Sequence, residues 1–392
     1  MDDSGLIEGT EQTRRLRQPV HTIAYEPGID GLRGVSIIAV LLFHACATSS
    51  LTGWFRGGNL GVSVFFTLSG FLITTLLFTE HERSGRIDLK RFWTRRIRRL
   101  APASLTVVGV VVVLSGTRWF DLRSADALAA IWSVTNWHVI AGGQDKLLQT
   151  IVGPLGPTWS LAVEEQFYVL LAIGAWCALR TARPMRSIAI GAAATVLVSL
   201  ALANTVSDWS PRLEFGTDVR AAELAVGCLL AVTIRSRRSR LTERAAAADL
   251  AGAIAVACLG ALFGLAGTAP WLLRGGHVLV ALASATAIAA IIAHGRIDAA
   301  LSAPPLVSIG RWSYSLYLVH WPVFLVLDEQ RVGLDGVPLV LVKLTVAFVL
   351  AVGLHRFVEQ PLRTTDTSVR SVYATWLGAS VAVSVLALAT LA

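Results

Sequence analysis

Few residues in this chain have reactive chemistry to offer, and they cluster. Arg33 and His44 lie eleven positions apart in DGLRGVSIIAVLLFHA. Eleven steps of an α-helix bring His44 back to within roughly 20° of Arg33, about 16 Å further along the axis. One helical face therefore carries a guanidinium at the end of an apolar segment and an imidazole deep inside it. Ionisable groups at such depth are costly and commonly functional, and a neutral imidazole there is able to act as a general base. In RFWTRRIRRLAP, Arg95, Arg96, Arg98 and Arg99 fall at i, i+1, i+3 and i+4. That pattern anchors a cytoplasmic loop, and it also suits bidentate binding of phosphate groups. The third cluster is GPTWSLAVEEQFYVL, where Glu164, Glu165 and Gln166 fall one turn into an apolar run and Tyr168 shares the face of Glu164. Buried carboxylates need partners, so this run predicts a polar cavity on the external half.

Weaker signals follow. SYSLYLVHWPV places Ser315 and His320 inside a span, where a lone histidine also serves as a core hydrogen-bonder, and TDVRAAEL places Arg220 and Glu223 at i+3, the spacing of an intrahelical ion pair. VEQPLR puts Glu359 two residues before Pro361, at a helix end that the proline explains. Cys46, Cys177, Cys228 and Cys258 stand singly in apolar runs without metal-ligand spacing and read as buried packing residues. Nothing points to a metal or to a bound redox cofactor.

The elements that must position these groups are set by composition. Of 392 residues, 54% are hydrophobic and only 15% charged, against about 25% charged in ordinary soluble domains, and the mean hydropathy is +0.62. Apolar runs near the ~20 residues needed to cross a bilayer recur from 35–50 through 372–391. The fold class is therefore all-α, a polytopic transmembrane bundle of about 10–11 spans. The net charge of +8 would suggest nucleic acid in a soluble protein. With the N-terminus cytoplasmic, however, 24 Lys and Arg fall on the tail and inner loops against seven outside, which is the positive-inside pattern. Arg33, Arg220 and Lys343 remain, in or at the mouths of spans. The polar first thirty residues lead into an apolar run without a convincing cleavage site, so that run is expected to stay as the first span. Pro102 reads as the start of the third span. The largest non-spanning piece, 118–158, contains ADALAAIWSVTNWHVI, an amphipathic or re-entrant segment expected to cap the external mouth of a central cavity.

Six stretches, DGLRGVSIIAVLLFHA, NLGVSVFFTLSGFLITTLL, RRIRRLAP, TWSLAVEEQFY, SYSLYLVHWPV and VEQPLR, occur in an order that resembles the acyltransferase 3 family of integral membrane O-acyltransferases. The resemblance covers about 30–363, leaving 1–29 as a cytoplasmic tail and 364–392 as a short cytoplasmic segment with a last transmembrane helix. It implies transfer of an acyl group, often acetyl, from cytosolic acyl-CoA to a hydroxyl of an extracytoplasmic glycan or glycolipid, in the plasma membrane. Arg33 and His44 match the family's Arg-x10-His motif, and Arg95, Arg98 and Arg99 its basic motif. The roles expected on that basis are His44, Arg33 and Glu164 in catalysis and Arg95, Arg96, Arg98 and Arg99 on the CoA phosphates. Ser160, Glu165, Gln166, Tyr168, Arg220, His320 and Glu359 are expected around the substrates, with Glu359 as a partner for Arg33 or the inner arginines. Two departures stand out: Ser63 where many members have Asp, and TDVR where the pattern often reads Thr-x-Thr-Arg. Some members fuse a periplasmic hydrolase-like domain; this chain is expected to acylate its acceptor directly or with a separate partner. Two alternatives stay open. One is acylation of a small secondary metabolite such as a macrolide, as relatives of similar length do. The other is a proton-coupled transporter, which predicts inverted repeats that the two halves do not display.

Overall fold

Without water to satisfy them, backbone amides in a bilayer must pair within their own segment, so long apolar runs become helices. The computed structural model describes residues 25–142, 153–205, 211–266, 270–365 and 367–391. The basic tail and Lys146 lie outside these described residues. The long helices are α1 (Pro27–Ala47), α2 (Gly61–Ser84), α3 (Leu89–Gly116), α6 (Thr158–Ala178), α7 (Pro184–Thr205), α8 (Thr217–Glu243), α9 (Ala245–Leu265), α10 (His277–Ile292), α11 (Pro304–Val326), α12 (Gly336–Leu354) and α13 (Val369–Thr390), with two short helices, α4 (Ser124–Ile131) and α5 (Thr135–Ala141), between α3 and α6. Apart from a four-residue extended segment at Thr52–Phe55, the regular structure among the described residues is helical. The protein is an all-α, multi-pass membrane protein.

Among the described residues, nine helices are long and apolar enough to cross a membrane. The two long helices outside that set are α8 and α11. They are also the polar ones: α8 carries Asp218, Arg220 and Glu223, and α11 carries Ser313, Ser315 and His320. Their polar stretches are buried against other helices, with Arg220 3% and His320 0% exposed. Lipid-facing helices around them supply the apolar shell.

The tightest pairing is between α1 and α11. A Cβ on Gly34 would collide with the carbonyl oxygen of Leu306, and one on Gly310 with the carbonyl oxygen of Asp30. Only glycine lets these backbones touch, the usual route to close helix packing where lipid removes the hydrophobic drive. The contact fixes the register of the helix bearing Arg33 and His44 against the helix bearing Ser313 and His320.

Two expectations are corrected. Pro102 lies inside α3, which runs unbroken from Leu89 to Gly116; neighbouring helices in a bundle accommodate the lost backbone bond. The arginine run is therefore part of the same helix, not of a loop. Cys46 and Cys228 are buried, but Cys177 and Cys258 are exposed, on outward faces of α6 and α9.

Candidate active site

A cavity of about 590 Å³ opens among α1, α2, α3, α6 and α11, within the range of small-molecule sites. Arg33, Arg83, Arg96, Arg99 and Arg363 line it against three carboxylates, Glu26, Asp30 and Glu164. At its mouth Tyr25 Oη donates to Asp30 Oδ2 at 2.9 Å and accepts from Arg311 at 2.8 Å. Arg33 donates to Ser313 Oγ at 2.8 Å and, more weakly, to Asp30 Oδ1 at 3.3 Å. Those bonds hold its guanidinium on the cavity wall.

Only half of the basic run faces the cavity. Arg96 and Arg99, at i and i+3 on α3, line it. Arg95 points outward and pairs with Glu80 at 2.8 Å, while Arg98 donates to Thr367 Oγ1 at 2.9 Å. Helical rotation of 100° per residue makes the split inevitable once α3 is continuous. Arg363, from the turn after α12, completes the set, and no carboxylate pairs with Arg96, Arg99 or Arg363 among the described residues. Three guanidiniums thus share the cavity without a direct salt bridge among the described residues, with Glu164 the acid within their electrostatic reach.

The acidic side of the cavity is Glu164. Its Oε1 accepts from Ser69 Oγ at 2.8 Å and its Oε2 from Tyr168 Oη at 3.0 Å, while Ser69 and Tyr168 oxygens stand 2.5 Å apart. The Arg96 guanidinium carbon lies 4.1 Å from the centre of the Tyr168 ring, a cation–π distance. Glu164 and Tyr168 therefore share a cavity with the arginines and do not form a separate external one. Glu165 and Gln166 turn away. Glu165 Oε2 accepts from Ser133 Oγ at 2.6 Å; Gln166 donates to the Ser133 carbonyl and to Asn136 Oδ1, both at 2.9 Å, and accepts from Trp137 Nε1 and Thr217 Oγ1. They clasp the α4–α5 segment and line no part of the cavity.

The inner end is closed by Tyr317 and Ser160, whose oxygens are 2.6 Å apart, with Tyr317 Oη donating to the Pro157 carbonyl at 3.0 Å. Behind this pair lies His44. Its Nδ1 is 3.1 Å from His320 Nε2, and His320 Nδ1 faces the carbonyls of Tyr317 and Leu316 at 2.7 and 3.1 Å. The Tyr317 and His320 ring centres are 5.5 Å apart, so Tyr317 stands between the cavity lining and the histidine pair. His320 joins His44 instead of lining the substrate cavity, and His44 itself lies beyond the cavity wall under Trp321, ring centres 5.0 Å apart. Lys343, fully buried on α12, donates to the Thr48 carbonyl at 2.6 Å and to its Oγ1 at 2.8 Å. It caps the last turn of α1, just past His44.

Two other assignments move out of the cavity. Glu359 accepts from Ser315 Oγ at 3.0 Å and lies 2.9 Å from His355 Nδ1, so it partners neither Arg33 nor the inner arginines. A π-type turn at His355–Glu359 turns both residues inward. Arg220 forms the expected pair with Glu223 at 2.7 Å and reaches Ser63 Oγ at 3.3 Å and the Glu214 carbonyl at 3.0 Å. Its guanidinium also packs 5.4 Å from the ring centres of Phe66 and Trp159, as a buried strut behind the cavity wall. Ser69, Ser313, Tyr317 and Arg363 were not marked by their local sequence, although Tyr317 stands one turn before His320 and Arg363 closes the VEQPLR stretch.

The sequence profile described as "Acyltransferase domain" matches residues 26–356. The chain belongs to this acyltransferase family. Among its relatives, "O-acetyltransferase OatA" of Staphylococcus aureus is 34% identical over 366 residues, covering 90% of this chain and 60% of the relative. "Peptidoglycan O-acetyltransferase OatA" of Listeria monocytogenes is 33% identical over 356 residues, covering 86% of this chain and 56% of the relative. The chain thus spans little more than half the length of these acyltransferase relatives. No solved structure matches it.

Proposed function

We propose that this protein is a membrane O-acyltransferase that takes an acyl group, in the first place acetyl, from acyl-CoA and esterifies a hydroxyl of a cell-envelope carbohydrate. The observation that carries the reading is the grouping of Arg96, Arg99 and Arg363, without direct salt-bridge partners among the described residues, in a cavity lined by Tyr317, whose ring packs against His320 of the His44–His320 pair. A polyphosphorylated donor supplies the missing anions, and guanidinium forks suit its phosphates. Placing the donor on the cytosolic side, with the N-terminus of α1 there, agrees with the Lys and Arg distribution. Peptidoglycan, named for the Listeria relative, is the first acceptor to try.

In this mechanism the arginines hold the CoA phosphates and Arg33 orients the pantetheine arm. The Tyr317–Ser160 contact opens so that the thioester carbonyl meets the acceptor at His44. His44 removes the acceptor O–H proton while the oxygen attacks the carbonyl carbon. The tetrahedral intermediate then expels the CoA thiolate, which takes the proton from His44. Glu164, with Ser69 and Tyr168, fixes the acyl arm on the cavity side.

The test is purified protein in nanodiscs with radiolabelled acetyl-CoA and a muropeptide or glycan acceptor, comparing the native chain with His44→Ala. The expected result is transfer by the native chain and a loss of roughly 10²- to 10⁴-fold in the variant, the range for a general base. Full activity in His44→Ala would overturn the mechanism. Transfer to a soluble macrolide but to no glycan would reassign the acceptor.

A further inference from the structure

We propose that His320 is a positioning residue that sets the tautomer of His44, so that His44 Nε2 is the nitrogen that takes the acceptor proton. This rests on the reading of His44 as general base. A neutral imidazole has one N–H and one lone pair, and its neighbours decide which nitrogen holds which. His320 Nδ1 faces two backbone carbonyls, of Tyr317 at 2.7 Å and Leu316 at 3.1 Å. Both are acceptors, so Nδ1 carries the hydrogen and Nε2 is left with the lone pair. His44 Nδ1 stands 3.1 Å from that lone pair, and the contact is a hydrogen bond only if His44 Nδ1 carries a hydrogen. His44 Nε2 is then unprotonated and free to accept.

The pair resembles the orienting half of a catalytic triad with one difference. There a buried carboxylate holds the histidine; here a neutral imidazole does, its own N–H directed at carbonyls of α11. When His44 takes a proton at Nε2, its Nδ1–H becomes a charge-assisted donor to His320. The developing cation is stabilised without an anion buried in the membrane. The rings of Phe43 and Trp321, each with its centre 5.0 Å from that of His44, pack against the imidazole, and the glycine contact between α1 and α11 fixes the spacing of the two histidines.

Two readouts test this. Nitrogen NMR of ¹⁵N-histidine-labelled native protein in nanodiscs, with the His44 signals assigned by their loss in His44→Gln, should show Nε2 unprotonated and Nδ1 protonated. The reverse tautomer would overturn the proposal, and this readout does not depend on whether a His320 variant folds. Kinetics supply the second. His320→Leu should lower kcat roughly 10²-fold, the scale of a misplaced reacting group, with KM for acetyl-CoA unchanged. His320→Gln, whose amide oxygen can accept from His44 Nδ1, should recover part of that loss. Native kcat in His320→Leu, or equal losses in both variants, would overturn the positioning role. If His44→Ala is inactive while His320→Leu is fully active, only the positioning role falls; activity retained in His44→Ala removes the general-base reading itself.

Discussion

At the scale of single residues, two arginines four positions apart in the same run have opposite prospects. Arg99 faces the cavity without a carboxylate partner, whereas Arg95 is paired with Glu80 at the surface, its side chain 54% exposed. A hydrogen bond to a charged group contributes about 1.5–3 kcal/mol, roughly 10- to 100-fold in affinity. Arg99→Gln should weaken acetyl-CoA binding by that factor, and Arg95→Gln should leave it within about twofold, since exposed ion pairs contribute little; isothermal titration in detergent checks both. The sequence marked the basic run but could not divide it. Adjacent arginines are 100° apart on a helix, and which pair faces inward depends on α3 continuing through Pro102. Arg33 and His44 were readable because both lie on one uninterrupted helix, where residue spacing alone fixes their relation. Tyr317 and Arg363 were not, because what marks them is contact with segments distant in sequence.

At the scale of elements, the α1–α11 contact holds the proposed chemistry in register. Gly310→Ala pushes a methyl group into the Asp30 carbonyl, and overpacking of this kind costs about 1–3 kcal/mol. The expected outcome is a lower unfolding temperature in detergent together with lower transfer activity, measured on the same preparation. The α4–α5 segment has its own fastener. Asp126 is buried, which alone would raise its pKa, but hydrogen bonds from Arg123 and His138 outweigh burial and hold it below the usual carboxylate range. A carboxyl depressed on folding contributes stability that is fully present above its unfolded value and is lost as pH falls through the folded one. Hydrogen-exchange protection of residues 124–141, corrected for intrinsic rates, should therefore persist down to the ordinary carboxylate range and fall only below it. In Asp126→Asn it should already be reduced at neutral pH. The sequence showed this segment as an amphipathic piece between spans, but not its attachment. Glu165 and Gln166 read as site residues because nothing local showed that Ser133, Asn136 and Thr217 would satisfy them.

At the scale of the whole molecule, the apolar runs of the sequence marked all eleven long helices, the polar central pair included. Helices α8 and α11 fall short of the apolar criterion because they carry the buried polar groups, and the surrounding bundle makes their burial tolerable. The closure at Tyr317 and Ser160 has a consequence for the membrane as an electrical insulator. In the proposed mechanism the donor's negative charges stay among the arginines on one side of that closure, and the acyl group is exchanged for the acceptor's hydroxyl proton, so no net charge passes it. Moving one elementary charge across the bilayer couples to the membrane potential by about 2.3 kcal/mol per 100 mV, but a neutral group carries no such coupling. In proteoliposomes clamped by potassium diffusion potentials, acetyl transfer should proceed at the same rate at either polarity, and the vesicles should hold their voltage while the enzyme turns over.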